Sequence, residues 1–361
     1  MFPPFVAVSR AQGRTPARQH GQKIDMRQCM GKVWAAALSP DGQLFATCAD
    51  DVPVAVWHAV TGTLVRTLQE GVAGTYLYVA GTYNYVCTAI VRCAAWSPDG
   101  TLLATGSRDG STTVWEVATC AVKLTLGTPA PQAPHSIQES RTTVWSDAWS
   151  PNGLQICTGS GDGIARLWDA HTGDLVHELG AKTALVGVVP SVAWSPDSAF
   201  VATGPPDYTV KVWDAARDGV ARVMGSHLQW PGGGGSRHRS PVSSVTWSPD
   251  GSMLVSGASC RLARVWDTPT DTIKHIVKGG RMMVGAVAWS PDGRLLAIVT
   301  KSYAVPNTVR LWEVATGTFT RVIPVPCVGN LHSVAWGPCG RFVFVAALSG
   351  TVHIFNVSEG Q

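Results

Sequence analysis

Short runs with apolar residues at alternate positions, separated by tight-turn residues, extend along the chain from about residue 23 to residue 361. That period of two predicts half-buried β-strands. The pattern is also internally repeated. A strand ending in a Ser-Pro-Asp-Gly-like turn recurs at 36–42, 94–100, 147–153, 192–198, 245–251, 287–293 and 334–340. A second apolar string that ends in an aromatic follows each copy. Six copies keep 17 residues between the turn Pro and that aromatic: Pro40–Trp57, Pro98–Trp115, Pro151–Trp168, Pro196–Trp213, Pro249–Trp266 and Pro338–Phe355. The other pair, Pro291–Trp312, is four residues longer, which predicts an enlarged loop at Lys301–Asn307. Pro presets φ for such a turn and Gly supplies a positive φ. A further short strand follows each aromatic, as at Leu64–Leu68 or Ile273–Val277, giving four antiparallel strands per unit.

Twelve of the fifteen tryptophans fall on the two recurrent aromatic positions, so they are expected to be structural: Trp57, Trp96, Trp115, Trp149, Trp168, Trp194, Trp213, Trp247, Trp266, Trp289, Trp312 and Trp336. Ser-Pro-Asp-Gly followed by a Val-Arg-Leu-Trp-type string resembles the WD-repeat (WD40) family, over residues from about 23 to 361. The resemblance implies an all-β fold, a seven-bladed β-propeller of four-stranded antiparallel blades, with the tryptophans filling the wedges between blades. The last blade has only three strands before the sequence ends, and an unpaired edge is an aggregation hazard. An N-terminal strand is therefore expected to complete it. Spacing favours Lys23–Arg27, with Phe5–Ser9 as the alternative. The predicted organisation is a flexible basic arm over 1–21 and a propeller over 22–361.

The chain departs from the family pattern in its polar positions. Many members carry a His there that joins an Asp, a Ser or Thr and a Trp in a buried hydrogen-bonded set. The positions here hold Cys29, Cys87, Ser140, Leu185, His238, Gly280 and Cys327, and only His238 matches. The Asp of the set is present as Asp51, Asp109, Asp162 and Asp207, but Cys260 replaces it in blade five, beside His238. If buried and bonded, each Asp is expected to contribute about 1–3 kcal/mol.

Charge and composition narrow the function. Arg10, Arg14, Arg18 and Lys23 account for the whole net charge of +4, leaving 24 basic and 24 acidic residues in the remaining chain. Such a body is not a polyanion binder by charge alone. The nine cysteines are scattered without a CxxC pair, which predicts free thiols in a reducing compartment, cytoplasmic or nuclear. No apolar run is long enough for a membrane span. The start lacks the charge and apolar stretch of a secretory signal; its Arg-rich, acid-free composition leaves a mitochondrial transit peptide as a second reading. No HExxH, GxxxxGK[ST] or GxSxG motif occurs, and the histidines do not cluster at ligand spacing. Gly232–Gly235 reads as a flexible loop. The expectation is a non-enzyme without cofactor or metal. The Trp-Asp-x-Arg signature of cullin-ligase receptors is absent: its fourth residue is His171, Ala216 or Pro269.

Comparing the repeats separates frame from function. Three residues before the first aromatic position the residue is always small: Ala35, Cys93, Ser146, Ser191, Ser244, Ala286 and Ser333. One residue earlier it varies widely: Trp34, Arg92, Trp145, Pro190, Ser243, Gly285 and His332. This variable position is expected to point outward near the rim of one face, which in the family often carries the ligand site. Exposed Trp beside Arg is a hot-spot composition; burial of both tryptophans under neighbouring loops is the alternative. Inserts of 16, 11 and 11 residues follow blades one, two and four. The first holds Tyr76, Tyr78, Tyr83 and Tyr85 and predicts a hairpin with Ala80-Gly81 near its turn; the second is Pro-rich; the third carries Trp230, Arg237 and Arg239. These readings predict a scaffold or adaptor for protein or peptide partners, with the site on blades one to three. The alternative is a subunit of an RNA or chromatin complex that touches nucleic acid through the arm and Arg237–Arg239.

Overall fold

The computed structural model describes residues 22–25, 32–49, 54–68, 76–79, 82–85, 90–127, 142–180, 187–204, 207, 209–217, 219–226, 242–279, 283–301, 307–327 and 329–357. Alternating apolar residues and recurrent turns fold these segments into seven four-stranded antiparallel sheets. Blade one is built from Val33–Leu38, Leu44–Ala49, Val54–His58 and Leu64–Leu68. Blade seven combines Leu331–Trp336, Phe342–Ala347 and Thr351–Asn356 with Gln22–Asp25. In that sheet Gln22 pairs with Ile354 and Asp25 with Thr351, antiparallel. The expected N-terminal closing strand is therefore present, at the start of the favoured segment; residues 5–9 lie outside the described residues. First strands of successive blades contact one another around the whole ring, and that of blade seven meets that of blade one. This closes a seven-bladed propeller and removes the raw edges.

The core is divided among the seams. Seven apolar clusters form among the described residues, each shared by two adjacent blades. Eleven of the twelve repeat tryptophans are buried, at 9% exposure or less, as wedge fillers must be; Trp168 is half-buried against the seam of blades two and three. The first-position indoles also staple blades together. Nε1–H of Trp96, Trp149, Trp194, Trp247 and Trp336 donates to the backbone carbonyl of Ala37, Ala95, Ala148, Ala193 and Ala288 in the preceding blade. Blade one has Leu38 instead, and its seam with blade seven is filled by Phe45, Trp57 and Phe344.

Second-position indoles bond within their own blade. Nε1–H of Trp57, Trp115, Trp168, Trp213 and Trp266 donates to the hydroxyl of Thr47, Thr105, Thr158, Thr203 and Ser256 at 2.8–2.9 Å. The aspartates do not complete that set. Asp109 accepts the Ser111 amide, Asp162 accepts the Ile164 amide and pairs with Arg166 at 2.6 Å, and Asp207 accepts the Thr209 amide and pairs with Lys211 at 2.7 Å. They are turn-local and partly exposed, so the expectation of buried contributions is corrected to that of surface pairs, below about 1 kcal/mol. Asp51 and His238 lie outside the described residues.

The Ser-Pro-Asp-Gly turns are held by their serine. Ser39, Ser97, Ser150, Ser195, Ser248 and Ser290 are buried, and each hydroxyl accepts the amide five residues on. The same hydroxyls donate to Asp41, Asp99, Asn152, Asp197, Asp250 and Asp292. The turn glycine takes a positive φ and faces the preceding blade: a Cβ on Gly42 would lie 2.7 Å from Pro338. Blade four has Ser198 there, at φ 61°, with its Oγ accepting the Asn152 amide at 3.1 Å. Since a left-handed conformation costs an L-residue about 1–2 kcal/mol, Ser198→Gly is expected to raise stability by about 0.5–1 kcal/mol after loss of that exposed bond. The midpoint of chemical denaturation measures it; a lower midpoint would contradict the strain.

Candidate functional site

One irregularity, repeated blade after blade, builds the site. In six of the seven first strands the pairing register slips across the variable position, between Val33 and Ala35, Val91 and Cys93, Val144 and Ser146, Val242 and Ser244, Val284 and Ala286, and Leu331 and Ser333. In blade four the first strand begins only at Val192, beyond Pro190. A bulge releases its residue from the ladder and re-aims the side chain. All seven variable residues consequently line one cavity of about 340 Å³ on the propeller axis, together with the small residues that follow them. The expected outward rim position is corrected: Trp34, Arg92, Trp145 and His332 turn toward the axis and are half-buried.

Four of these residues form a continuous stack over blades seven, one, two and three. The Arg92 guanidinium lies 3.7 Å from the Trp34 ring centroid and 5.6 Å from that of Trp145. His332 meets Trp34 edge-on, with centroids 5.3 Å apart. Cation–π contacts of this kind fix a planar cation between indoles. The sequence therefore nominated residues that do come together, though for the wrong orientation.

Two further ionisable residues line the cavity that sequence reasoning passed over. Asp147 occupies a position that is Ala or Val in every other blade, which was its signal: Ala36, Ala94, Val192, Val245, Val287 and Val334. Both its carboxylate oxygens are sealed from solvent without a hydrogen-bond partner of normal geometry. Burial pushes this carboxyl up to about 7, an effect only partly offset by the Cys93 thiol and its own backbone. Lys301 ends the second strand of blade six, and its stem lies across Gly285, with Cε 2.4 Å from where a Cβ would stand. Burial lowers the proton affinity of its ammonium. His332 is driven down to about 4, first by burial and then by the charges of Lys301 and Arg92.

The small residues have a second task. Ser146, Ser191 and Ser244 each accept the amide of Val192, Val245 and Val287 in the next blade, and Ser333 donates to the Ala36 carbonyl across the closing seam. They tie the inner ring together while facing the cavity.

The predicted tyrosine hairpin forms, Tyr76–Val79 against Thr82–Tyr85, with Tyr76 opposite Tyr85 and Tyr78 opposite Tyr83. Trp230, Arg237, Arg239, the Pro-rich insert and the basic arm lie outside the described residues, and with them the nucleic-acid alternative. Among the described residues no group of His, Cys, Asp or Glu could hold a metal, and no helix is long and apolar enough to cross a membrane. Among the described residues none of Cys48, Cys93, Cys120, Cys157, Cys260, Cys327 and Cys339 forms a disulfide.

The family model for the WD domain, G-beta repeat, matches residues 26–51, 80–116, 134–169, 173–214 and 235–267. These matches coincide with repeats that the structure closes into seven blades. The chain belongs to the WD-repeat family. Its WD-repeat relatives include the WD repeat-containing protein VIP3 of Arabidopsis thaliana, 31% identical over 41% of this chain and 42% of that protein. Telomerase protein component 1 of Mus musculus is 28% identical over 63% of this chain and 7% of its own length. The small ribosomal subunit protein RACK1 of Schizosaccharomyces pombe is 27% identical over 51% of this chain and 40% of its own. The matched stretches thus span less than half of each relative.

Proposed function

We propose that this WD-repeat protein is a non-catalytic scaffold or adaptor, which holds protein or peptide partners within a multiprotein complex on the axial face of blades seven, one, two and three. The observation that carries the reading is the Trp34–Arg92–Trp145 stack with His332. Bulges set these large side chains into a concave site, and the framework does not need them there, since other blades use Gly, Ser or Pro at the same position. Large aromatics with Arg in a central recess have the composition of an interface hot spot. A rigid closed ring keeps such a surface pre-organised, which lowers the cost of binding.

Proximity labelling in the native cell, comparing wild type with the Trp34→Ala/Arg92→Ala/Trp145→Ala variant, tests this. Loss of most specifically labelled proteins is the expected outcome, with Arg92→Gln alone giving partial loss without disturbing the indoles. An unchanged set of labelled proteins, from a variant with an unchanged denaturation midpoint, would refute the assignment of this face.

A further inference from the structure

We infer that the axial cavity receives the carboxylate of an acidic segment of a partner polypeptide, with Lys301 as the cation that meets it and Gly285 as the residue that lets Lys301 reach the axis. This inference rests on the proposed axial face and gives that face its chemistry.

Three observations support it. The first is steric. Gly285 is the bulge residue of blade six, and the space its side chain would take is filled by the Lys301 stem, with Cγ, Cδ and Cε at 2.9, 3.1 and 2.4 Å from an ideal Cβ. Absence of a side chain on one strand and length of a side chain on the adjacent strand of the same blade thus combine to bring an ammonium into the cavity. The second is electrostatic. Burial is the one influence on the Lys301 ammonium, and no acidic neighbour offsets it among the described residues. His332 feels both Lys301 and Arg92, so the basic groups of blades six, seven and two form one cluster. Asp147, the carboxylate that lines the cavity, is governed by its burial, which raises it toward the neutral form. A buried cation without a counter-charge is costly, and an incoming anion removes that cost. The third is the hydrogen-bond inventory. The Trp145 indole N–H is sealed without a protein acceptor. Ser146, Ser191 and Ser244 accept an amide each, which leaves their hydroxyl protons to be donated. With Lys301 these donors suit an oxyanion, and the unpaired Asp147 oxygens are the acceptors already in the cavity.

A polypeptide suits the site better than a nucleic acid. The charge is concentrated at the axis, whereas the body balances 24 basic against 24 acidic residues and offers no net positive charge for a phosphate backbone to follow.

The test uses the purified 361-residue chain and fluorescence anisotropy with labelled hexaglutamate, hexalysine and oligouridylate. Hexaglutamate is expected to bind, and Lys301→Met to weaken it by about tenfold or more, with Lys301→Arg restoring most of the affinity. Gly285→Ala, which keeps every charge but obstructs the Lys301 stem, should weaken binding too; Asp147→Asn should leave it equal or tighter. Equal hexaglutamate affinity in wild type and Lys301→Met would overturn the inference, as would preferential binding of hexalysine or of oligouridylate. If hexaglutamate ignores Lys301 while the Trp34/Arg92/Trp145 variant still loses its labelled proteins, the carboxylate assignment fails and the interaction face stands. If the triple variant keeps its labelled proteins, the face itself fails.

Discussion

Replacing Asp147 with valine is expected to stabilise the protein at pH 7 and above by on the order of 2–4 kcal/mol, a size that follows from a carboxyl that burial pushes up to about 7. Four of the other blades already have valine at this position, so the side chain fits the inner ring. In the unfolded chain Asp147 titrates near the ordinary value for Asp, and in the fold near 7. A raised carboxyl contributes stability that is fully present below the unfolded value and is lost as the pH rises through the folded one. Wild-type stability should therefore fall between about pH 4 and 7 on account of this group. His332 works in the opposite sense. Its folded value is depressed to about 4, so its contribution is present above the unfolded value near 6.5 and is lost as the pH falls toward 4. The two slopes overlap and nearly cancel in the wild type. Asp147→Val removes one of them, and the variant should gain stability steadily from about pH 4 to 6.5 where the wild type is nearly flat. Urea denaturation at a series of pH values reads this directly. Parallel curves for the two proteins would mean that Asp147 is solvated in the fold.

The acid limb below pH 4 has another source. The carboxylates of Asp41, Asp99, Asp197 and Asp250 are held below their usual range, first by the turn serine hydroxyl and also by backbone amides. Their contribution is lost as the pH falls through those lowered values, so it adds to the His332 effect and leaves the Asp147 window untouched.

Much of the fold was legible because its determinants are local and repeated. The Ser-Pro-Asp-Gly string names a turn, and the fixed distance to the next aromatic names a two-strand hairpin of set length. The recurrence of large indoles at two positions implies a wedge that must be filled once per blade. The closing strand was readable from its spacing to the first blade, which favoured Lys23–Arg27 over Phe5–Ser9, and Gln22–Asp25 overlaps the favoured segment. The site was less legible. Counting alternate residues assigns a face to every position only while the period stays at two, and a bulge resets the count. The wide variation at Trp34, Arg92, Trp145 and His332 points to an outward rim, whereas the bulge turns each to the axis. The variability of that position was the usable signal, and its direction was not. Lys301 gave no signal at all, because its approach depends on the emptiness of Gly285 in another strand. The aspartates show the converse error. Asp109, Asp162 and Asp207 match the family position, but the His that would draw them into a buried network is missing, so turn amides claim all three and the basic residues Arg166 and Lys211 pair with two of them.

Trp247→Ala is expected to cost about 3–5 kcal/mol, the range for removing a large aromatic from a packed core. Trp247 is 9% exposed and stands in the cluster of Ala202, Val210, Val212, Met224, Val242, Leu254 and Trp266, between blades four and five. Its indole N–H donates to the Ala193 carbonyl of blade four at 3.2 Å. Two losses therefore combine: a void at a seam whose walls are rigid sheets and cannot collapse far, and a carbonyl left without its donor. Trp247→Phe separates them. It keeps most of the ring volume and removes the bond, so it should cost about 1–2 kcal/mol. The closed ring adds a consequence that an open stack of sheets would lack. Each blade has two seams, and loosening one leaves its neighbours held from the other side, so the damage should stay near blades four and five before global unfolding. Hydrogen exchange on Trp247→Ala should show faster exchange in Val242–Trp247 and in the neighbouring strand Phe200–Thr203, with the first strand of blade one, Val33–Leu38, protected as in the wild type. Uniform loss of protection around all seven blades would contradict the picture of separate wedges and require a core shared by the whole ring.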